Sequence, residues 1–486
     1  MSDTITGKDL IDMGFEPAPW FGAALEEVNA RQLSRSQAAR VAQRFVDAIE
    51  AEEAARKARE IPLHGTPAPY VFNISEEDGS DVERTNIAAV RATFEVLMRT
   101  PTLERGAVMP DACPAGPEGT IPVGGVAAAR GTIHPGMHSA DICCSMTATV
   151  VDGVTPADLL DAVHSVTHFG PGGRPRHEEI ALPQELRDAF SENAFLADGR
   201  IQGRARSDFA TCGDGNHFNY VGISEATGQT VLVSHFGSRG PGAMLYKAGM
   251  KVAEKYRLDL SPETLKGNAW IPSETDEGRA YWDALQIIRA WTKASHAALH
   301  DAAIAALGGQ ASIADRLWNE HNFVFREEDG GALPLFWHAK GATPIHAPLL
   351  PDTAGVQIVP LNMSQPILFV RGTRNDVNLG FAPHGAGRNL SRTQHKRLHA
   401  GRTDAEIFEA ETRGIDARFF CGRIDVSELP SAYKDADRVQ ADMERFALCE
   451  VVDRIRPYGA IMAGDHEFDA PWKKKAKAKS ESPDSG

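Results

Sequence analysis

The sequence predicts an α/β fold, and two patterns carry that expectation. Stretches of helical period recur at residues 34–58, 86–99, 155–168, 183–196 and 278–305. Short apolar runs between them end at Gly-rich turns, and TVLVSHFGSRG (230–240) is the clearest of these. At 486 residues and 42% hydrophobic content, the chain can bury a sizeable core.

Taken in order, Ser34 or Ser36 caps the first helix, and Val41, Phe45 and Ile49 recur along one side of it. NIAAVRATFEVLMR (86–99) gives the second helix. Residues 108–150 are rich in Gly and Pro, so short strands and tight loops are expected, closing with a strand at 145–151. The strand in 230–240 leads into a turn. The longest helix, 278–305, keeps its period through Leu285, Ile288 and Trp291 and is expected to pack away from the site described below. HNFVFREEDGG (321–331) and QPILFVRG (365–372) read as strands. Residues 426–446 end in an amphipathic helix with Val439, Met443 and Phe446 on one side. The tail from Lys473 is of low complexity and is expected to be disordered.

Composition excludes several classes. No apolar run reaches transmembrane length, and residues 1–17 hold no continuous apolar core of a secretory signal, so a cytoplasmic location is expected. Six cysteines in so long a chain do not form a disulfide framework. A net charge of −15 argues against a surface coated for general nucleic-acid binding, while leaving room for a local basic cleft.

Candidate metal ligands sit beside strand ends and Gly-rich turns. Asp141, Cys143 and Cys144 precede the strand at 145–151, and His217 follows the turn in CGDGNHF. His235 ends a strand and His321 begins one. Each alone reads most simply as a core residue, a cap or a buried thiol. Together they offer a carboxylate, a thiolate and three imidazoles. That set suits a pair of divalent ions with the thiolate between them, and manganese or iron as well as zinc.

Three Gly-rich turns carry polar or cationic residues: GDGNH (213–217), GSRGPG (237–242) and HGAGR (384–388). Such turns present backbone N–H groups to anions. Arg239, Lys340, Arg388 and Arg392 add positive charge nearby. In APHGAGRNLSR the small residues after His384 suggest that something large approaches the backbone.

VMPDACPAGPEGTIPVGGVAA, DICC, GNHF, HFGSRG, HNFV, KGAT, HGAGRNLSR and LPSAYKDADRV follow one another in the order found in RtcB-type RNA ligases. The chain resembles that family over residues 105–464. The resemblance implies a single RtcB-like domain in which mixed β-sheets line a central metal cleft, with helices outside. Residues 1–60 would be a helical extension, 61–470 the catalytic domain and 471–486 a basic and polar tail. It implies an enzyme that joins RNA 2′,3′-cyclic phosphate or 3′-phosphate ends to 5′-hydroxyl ends with GTP and two Mn2+ ions, in RNA repair or tRNA splicing. Asp141, Cys144 and His217 would hold one manganese. Cys144, His235 and His321 would hold the other. His384 would become guanylylated, with Asn216, Gly385, Ala386, Gly387, Arg388 and Tyr433 also at the nucleotide.

The chain departs from the family pattern at several positions. Cys113 stands where a histidine is usual, and Tyr220 where an acidic residue helps to bind guanine. Ser295–His296 replaces an Asn-Arg pair, and Ala339 replaces an arginine. Ala463 precedes Gly464 where the family ends in Lys-Gly. The losses at Ser295–His296 and Ala339 are expected to remove cations from a phosphate site. Two other readings follow: a dinuclear-metal phosphodiesterase or nucleotidyltransferase with altered nucleotide specificity, and a non-catalytic RNA-binding protein.

Overall fold

A computed structural model describes residues 4–76, 80–350 and 355–465. The expected disordered tail at 471–486 lies outside these residues. Among the described residues the chain divides into two compact units, one ending at Pro62 and taking in Leu258–Glu263, the other beginning at Leu63.

The first unit is helical. Gly7–Asp12, Phe21–Ala30 and Arg35–Arg59 bury Leu10, Ala24, Val28, Ala38 and Ala42 together. The amide of Ser34 donates to the side chain of Gln37 (2.9 Å), one half of a capping box that starts the long helix. Phe45 stacks on Trp20 with ring centroids 6.0 Å apart, whereas Ile49, expected on the same apolar side, is exposed.

The second unit is built on two large mixed sheets, as the α/β expectation required. The larger runs in the order Val356–Val359, Ile367–Arg371, Glu450–Met462, Phe218–Ser224, Thr230–Phe236, Ser145–Asp152, Ser312–Glu320. Its strands are antiparallel apart from Asp416–Phe419, which joins Glu450–Met462 in parallel. The Ile358 amide donates to Asn319 Oδ1 (2.9 Å), so the two ends of this path meet and the sheet nearly closes. The smaller sheet runs Tyr70–Phe72, Leu103–Cys113, Val123–Arg130, Leu335–Lys340, Asn322–Glu327. His321 lies between Ser312–Glu320 and Asn322–Glu327, where the chain passes from one sheet to the other.

Several expectations need correction. Residues 103–130 form two long strands, not short ones. The second helix starts at Asp81, five positions before the periodic stretch, because Ser80 and Glu83 form a capping box. After the strand Thr230–Phe236 the chain enters a helix, Arg239–Leu260, where only a turn was expected. Two glycines and a proline in its first turn disguise it; those positions tolerate proline, and Asp208 Oδ2 accepts the Gly240 amide (3.0 Å).

The long helix Asp276–Ala306 does not pack away from the candidate ligands. His296 Nε2 lies 3.1 Å from both Ser145 Oγ and the Phe236 carbonyl, beside Cys144 and His235. His300 bridges Thr149 Oγ1 and Ser234 Oγ at 2.7 Å each. Ser295 Oγ accepts the Ala210 amide (2.7 Å). Ser295 and His296 on this helix and Ala339 in the strand Leu335–Lys340 are all fully buried. No helix among the described residues is long and apolar enough to cross a membrane.

Trp291 anchors this helix: it is fully buried and donates its indole N–H to the Ala205 carbonyl (3.0 Å). Trp291→Ala is expected to destabilise the fold by about 3–5 kcal/mol, read as a lower urea midpoint.

Candidate active site

The Asp141–Ser145 turn makes the first half of the site. Cys143 adopts a left-handed backbone (φ 57°) with its amide on the Asn322 carbonyl (2.7 Å). That twist sends neighbouring thiols in opposite directions. Cys143 joins the hydrophobic core, while Cys144 turns its sulfur toward His217 and His235.

The other donors arrive on adjacent strand ends. His235 pairs across the sheet with Met146 on one side and Phe218 on the other, so Cys144, His217 and His235 come together at one edge. The His321 amide donates to the Cys144 carbonyl (2.9 Å). Cys144 Sγ is 3.4 Å from His217 Nε2 and 3.2 Å from His235 Nε2, which is 3.1 Å from His321 Nε2. Asp141 Oδ2 is 3.2 Å from His217 Nε2. The donors form two sets that share the sulfur, Asp141/Cys144/His217 and Cys144/His235/His321.

The electrostatics of these groups suit cations. Burial, with His217 and His384 nearby, pulls His235 down to about 3, and burial likewise holds His321 well below the usual imidazole range. Both are therefore neutral and keep a lone pair to donate. Burial works against the Asp141 carboxylate, but His217 and Cys144 more than offset it and hold its pKa low. Burial and the Asp141 charge push the Cys144 thiol well up. A shared thiolate there requires a positive partner, which divalent ions supply. The Asn216 carbonyl lies 3.2 Å from His235 Nδ1 and fixes the tautomer that presents Nε2 to the cluster.

His384 faces the same space, its ring centroid 4.9 Å from that of His321. Its Nδ1 is 2.5 Å from Asp111 Oδ2, which also accepts the His384 amide (3.1 Å). Asp111 is fully buried at the end of Leu103–Cys113. With Nδ1–H held by a carboxylate, Nε2 is the nitrogen left to react. Sequence reasoning missed Asp111, although it stands in the quoted VMPDACPAG stretch, because a lone carboxylate there has no local signature.

The small residues after His384 line the cavity, and packing adds a second reason for their size. A side chain on Gly387 (φ 73°) would meet the Asp111 carbonyl at 1.9 Å, and Ala386 is buried in an apolar cluster. A side chain on Gly341 would come within 2.9 Å of the His384 ring. Gly387 and Gly341 are thus small also because the polypeptide itself passes there.

Glu428 is a second carboxylate that sequence reasoning missed. It is buried, and it binds Arg392 Nε (2.8 Å), Arg388 Nη1 (3.3 Å) and the Tyr433 hydroxyl (2.7 Å). Arg388 and Arg392 are thus aligned at the cavity wall by one anion. Arg239 is turned away toward the Gly170 carbonyl (3.1 Å) and Thr211 (3.4 Å), so it does not join them.

A cavity of about 860 Å3 connects these parts, with Asp141, Cys144, Asn216, His235, His321 and His384 on its wall. Gly385, Ala386, Gly387, Arg388 and Tyr433 line it too. Phe218, Tyr220, Met363, Ile367, Ala460 and Met462 form an apolar stretch of the same wall. The Tyr220 hydroxyl is spent on the Ile455 carbonyl (2.7 Å). Ala463 is buried in the core instead. Cys113 and Lys340 line the cavity, and the Lys340 ammonium donates to the Ile121 carbonyl (3.0 Å).

Comparison with known proteins agrees with this architecture. Residues 184–463 match the family model described as tRNA-splicing ligase RtcB. A protein of that name from Aeropyrum pernix is 28% identical over 426 residues, covering 72% of this chain and 86% of the relative. Its namesake from Archaeoglobus fulgidus is 27% identical over 415 residues, covering 70% and 84%. The fold and the cleft define a single α/β domain with a cluster of metal-type donors. The chain belongs to the RtcB family.

Burial pulls Lys340 down to about 8. Its charge, and with it part of the cavity's hold on anions, is expected to fade as pH rises through that value. Tripolyphosphate affinity, measured calorimetrically, should fall above about pH 8 in the parent chain. Lys340→Gln should bind about ten- to a hundredfold more weakly and lose that pH step.

Proposed function

We propose that this protein is an RNA ligase that joins RNA 2′,3′-cyclic phosphate or 3′-phosphate ends to 5′-hydroxyl ends, using GTP and two Mn2+ ions, in RNA repair or tRNA splicing. The carrying observation is the meeting of a carboxylate-held histidine, His384, with two donor sets that share Cys144.

In this reading Asp141, Cys144 and His217 hold one ion, and Cys144, His235 and His321 the other. The ions supply Lewis acidity and offset phosphate charge. His384 Nε2 attacks the α-phosphorus of GTP; a P–N bond forms, the bond to the β-phosphate oxygen breaks and pyrophosphate leaves. Asp111 keeps the Nδ1 proton in place and stabilises the positive charge that the ring acquires. Asn216 and the turn Gly385–Arg388 hold the nucleotide phosphate, with Tyr433 beside them. A water opens a cyclic end to the 3′-phosphate. The 3′-phosphate then takes GMP from His384, with the P–N bond breaking. The RNA 5′-hydroxyl attacks that activated phosphorus and GMP departs. Positioning and charge neutralisation dominate such steps.

The apolar wall around Tyr220 supports one further possibility, a nucleotidyltransferase with altered nucleotide specificity. Asp141 and Glu428 are the only carboxylates that line the cavity among the described residues, and each already has partners.

The test is incubation with α-labelled GTP and Mn2+, then acid treatment. An acid-labile label that vanishes in His384→Ala is expected, followed by ligation of 3′-phosphate to 5′-hydroxyl RNA. A label from ATP but not GTP would favour the second reading. No label from any nucleotide would overturn both. Asp111→Asn should slow labelling by about a hundred- to ten-thousandfold, in a protein that still binds metal.

A further inference from the structure

A buried lysine stands behind the His384 turn. Tyr433 lines the cavity, whereas Lys434, next in the chain, is only 8% exposed and lies behind the wall. Its side-chain Nζ donates to the Pro110 carbonyl (2.9 Å) and to the Ala112 carbonyl (2.6 Å), the two residues that flank Asp111. Its amide donates to the Gly387 carbonyl (3.0 Å), and Arg388 pairs with Tyr433 in an isolated antiparallel bridge beside it. One residue thus holds both the strand that carries Asp111 and the turn that follows His384.

The sheet explains why those carbonyls are available. Leu103–Cys113 pairs with Val123–Arg130 through Val108, and the register shifts before pairing resumes at Cys113. Asp111 lies inside that irregular stretch, where the ladder does not fix it. Packing alone does not account for a lysine here. An apolar side chain would fill the space without the cost of burying an amine, but it would leave both carbonyls without this donor. Burial pulls Lys434 down, against the opposing influence of Cys113, Asp111 and Glu83. The stakes at Asp111 are high, because its Oδ2 meets both Nδ1 (2.5 Å) and the amide (3.1 Å) of His384. A shift of that carboxylate would carry the imidazole with it.

We propose that Lys434 is a positioning residue for the nucleophile: by clamping the backbone on both sides of Asp111 and the turn at Gly387, it sets the carboxylate against His384 Nδ1 and so aims Nε2 into the cavity. The inference rests on the reading that His384 Nε2 attacks the nucleotide. Because Lys434 acts from behind the wall, its loss is felt in the attack and not in nucleotide binding. Because it acts through Asp111, its loss matters only while that carboxylate is present.

The test compares the full chain with Lys434→Met, which keeps the bulk of the side chain, and with Asp111→Asn. Lys434→Met should slow labelling by saturating α-labelled GTP about a hundredfold. The GTP concentration that gives half the maximal rate should stay within about twofold of the parent's. In the Asp111→Asn background the same change should slow labelling little further, because the two residues act as one unit. Lys434→Gln, which keeps an N–H donor and serves should the Met variant not fold, should recover part of the loss. A second readout needs no nucleotide. Carbethoxylation of His384 by diethylpyrocarbonate, followed by mass spectrometry of its peptide, should show the same slowing and the same lack of additivity. Rates equal to the parent's in Lys434→Met, or losses that simply add in the double variant, would overturn the proposal. A parent that takes no nucleotide label, while carbethoxylation still depends on Lys434 through Asp111, would sink the ligation reading and leave the positioning of His384 supported.

Discussion

One residue, His321, ties the two sheets together at the site through both its amide and its carbonyl. The His321 amide donates to the Cys144 carbonyl (2.9 Å), and the His321 carbonyl accepts the Gly341 amide (2.8 Å). The first bond sets His321 against the larger sheet, and the second sets it against the strand Leu335–Lys340 of the smaller one. Gly341 in turn leaves room for the His384 ring. The spacing between the donor clusters and His384 is therefore fixed by backbone hydrogen bonds, which are costly to leave unmade when buried. Rotamer choice adds only the last adjustment.

Charge is organised around this seam in two buried carboxylates. Asp111 binds one histidine, and Glu428 binds two arginines and a tyrosine. Each takes an anion out of water, which is tolerable only with close partners. The imidazoles of the cluster are held neutral by burial, so they add no competing positive charge. The result is a cavity whose lining carries both cationic groups and lone-pair donors. Such preorganisation suits an anionic substrate held beside metal ions.

Much of this was legible in the sequence, for identifiable reasons. The five candidate ligands each lie beside a strand end or Gly-rich turn, and strand ends along one sheet edge converge in space. The helices at 34–58 and 278–305 were legible from period alone. Asp111 and Glu428 were not, since a carboxylate's partner is set by tertiary contact. The helix Arg239–Leu260 was hidden by its own first turn. The long helix was placed on the wrong side: its period does not show that His296 and His300 are buried and satisfied by Ser145, Ser234 and Thr149. The small residues after His384 do line the cavity, and what the sequence did not show is that Gly387 also leaves room for the Asp111 carbonyl.

The departures from the family pattern can now be sorted by depth. Ser295, His296, Ala339 and Ala463 are buried in the scaffold, where side-chain volume and hydrogen bonding decide what fits. Cys113 and Tyr220 line the cavity. Tyr220 exchanges an expected charge for a ring whose hydroxyl is already spent on Ile455. Cys113 replaces an imidazole with a thiol that burial pushes up, against the pull of Lys434 and Lys340. Both changes leave the cavity less able to offer a hydrogen-bond acceptor, and neither touches the donor clusters. Of the six departures, four thus fall in the buried scaffold and two on the cavity wall, and none is among the groups gathered around Cys144 and His384.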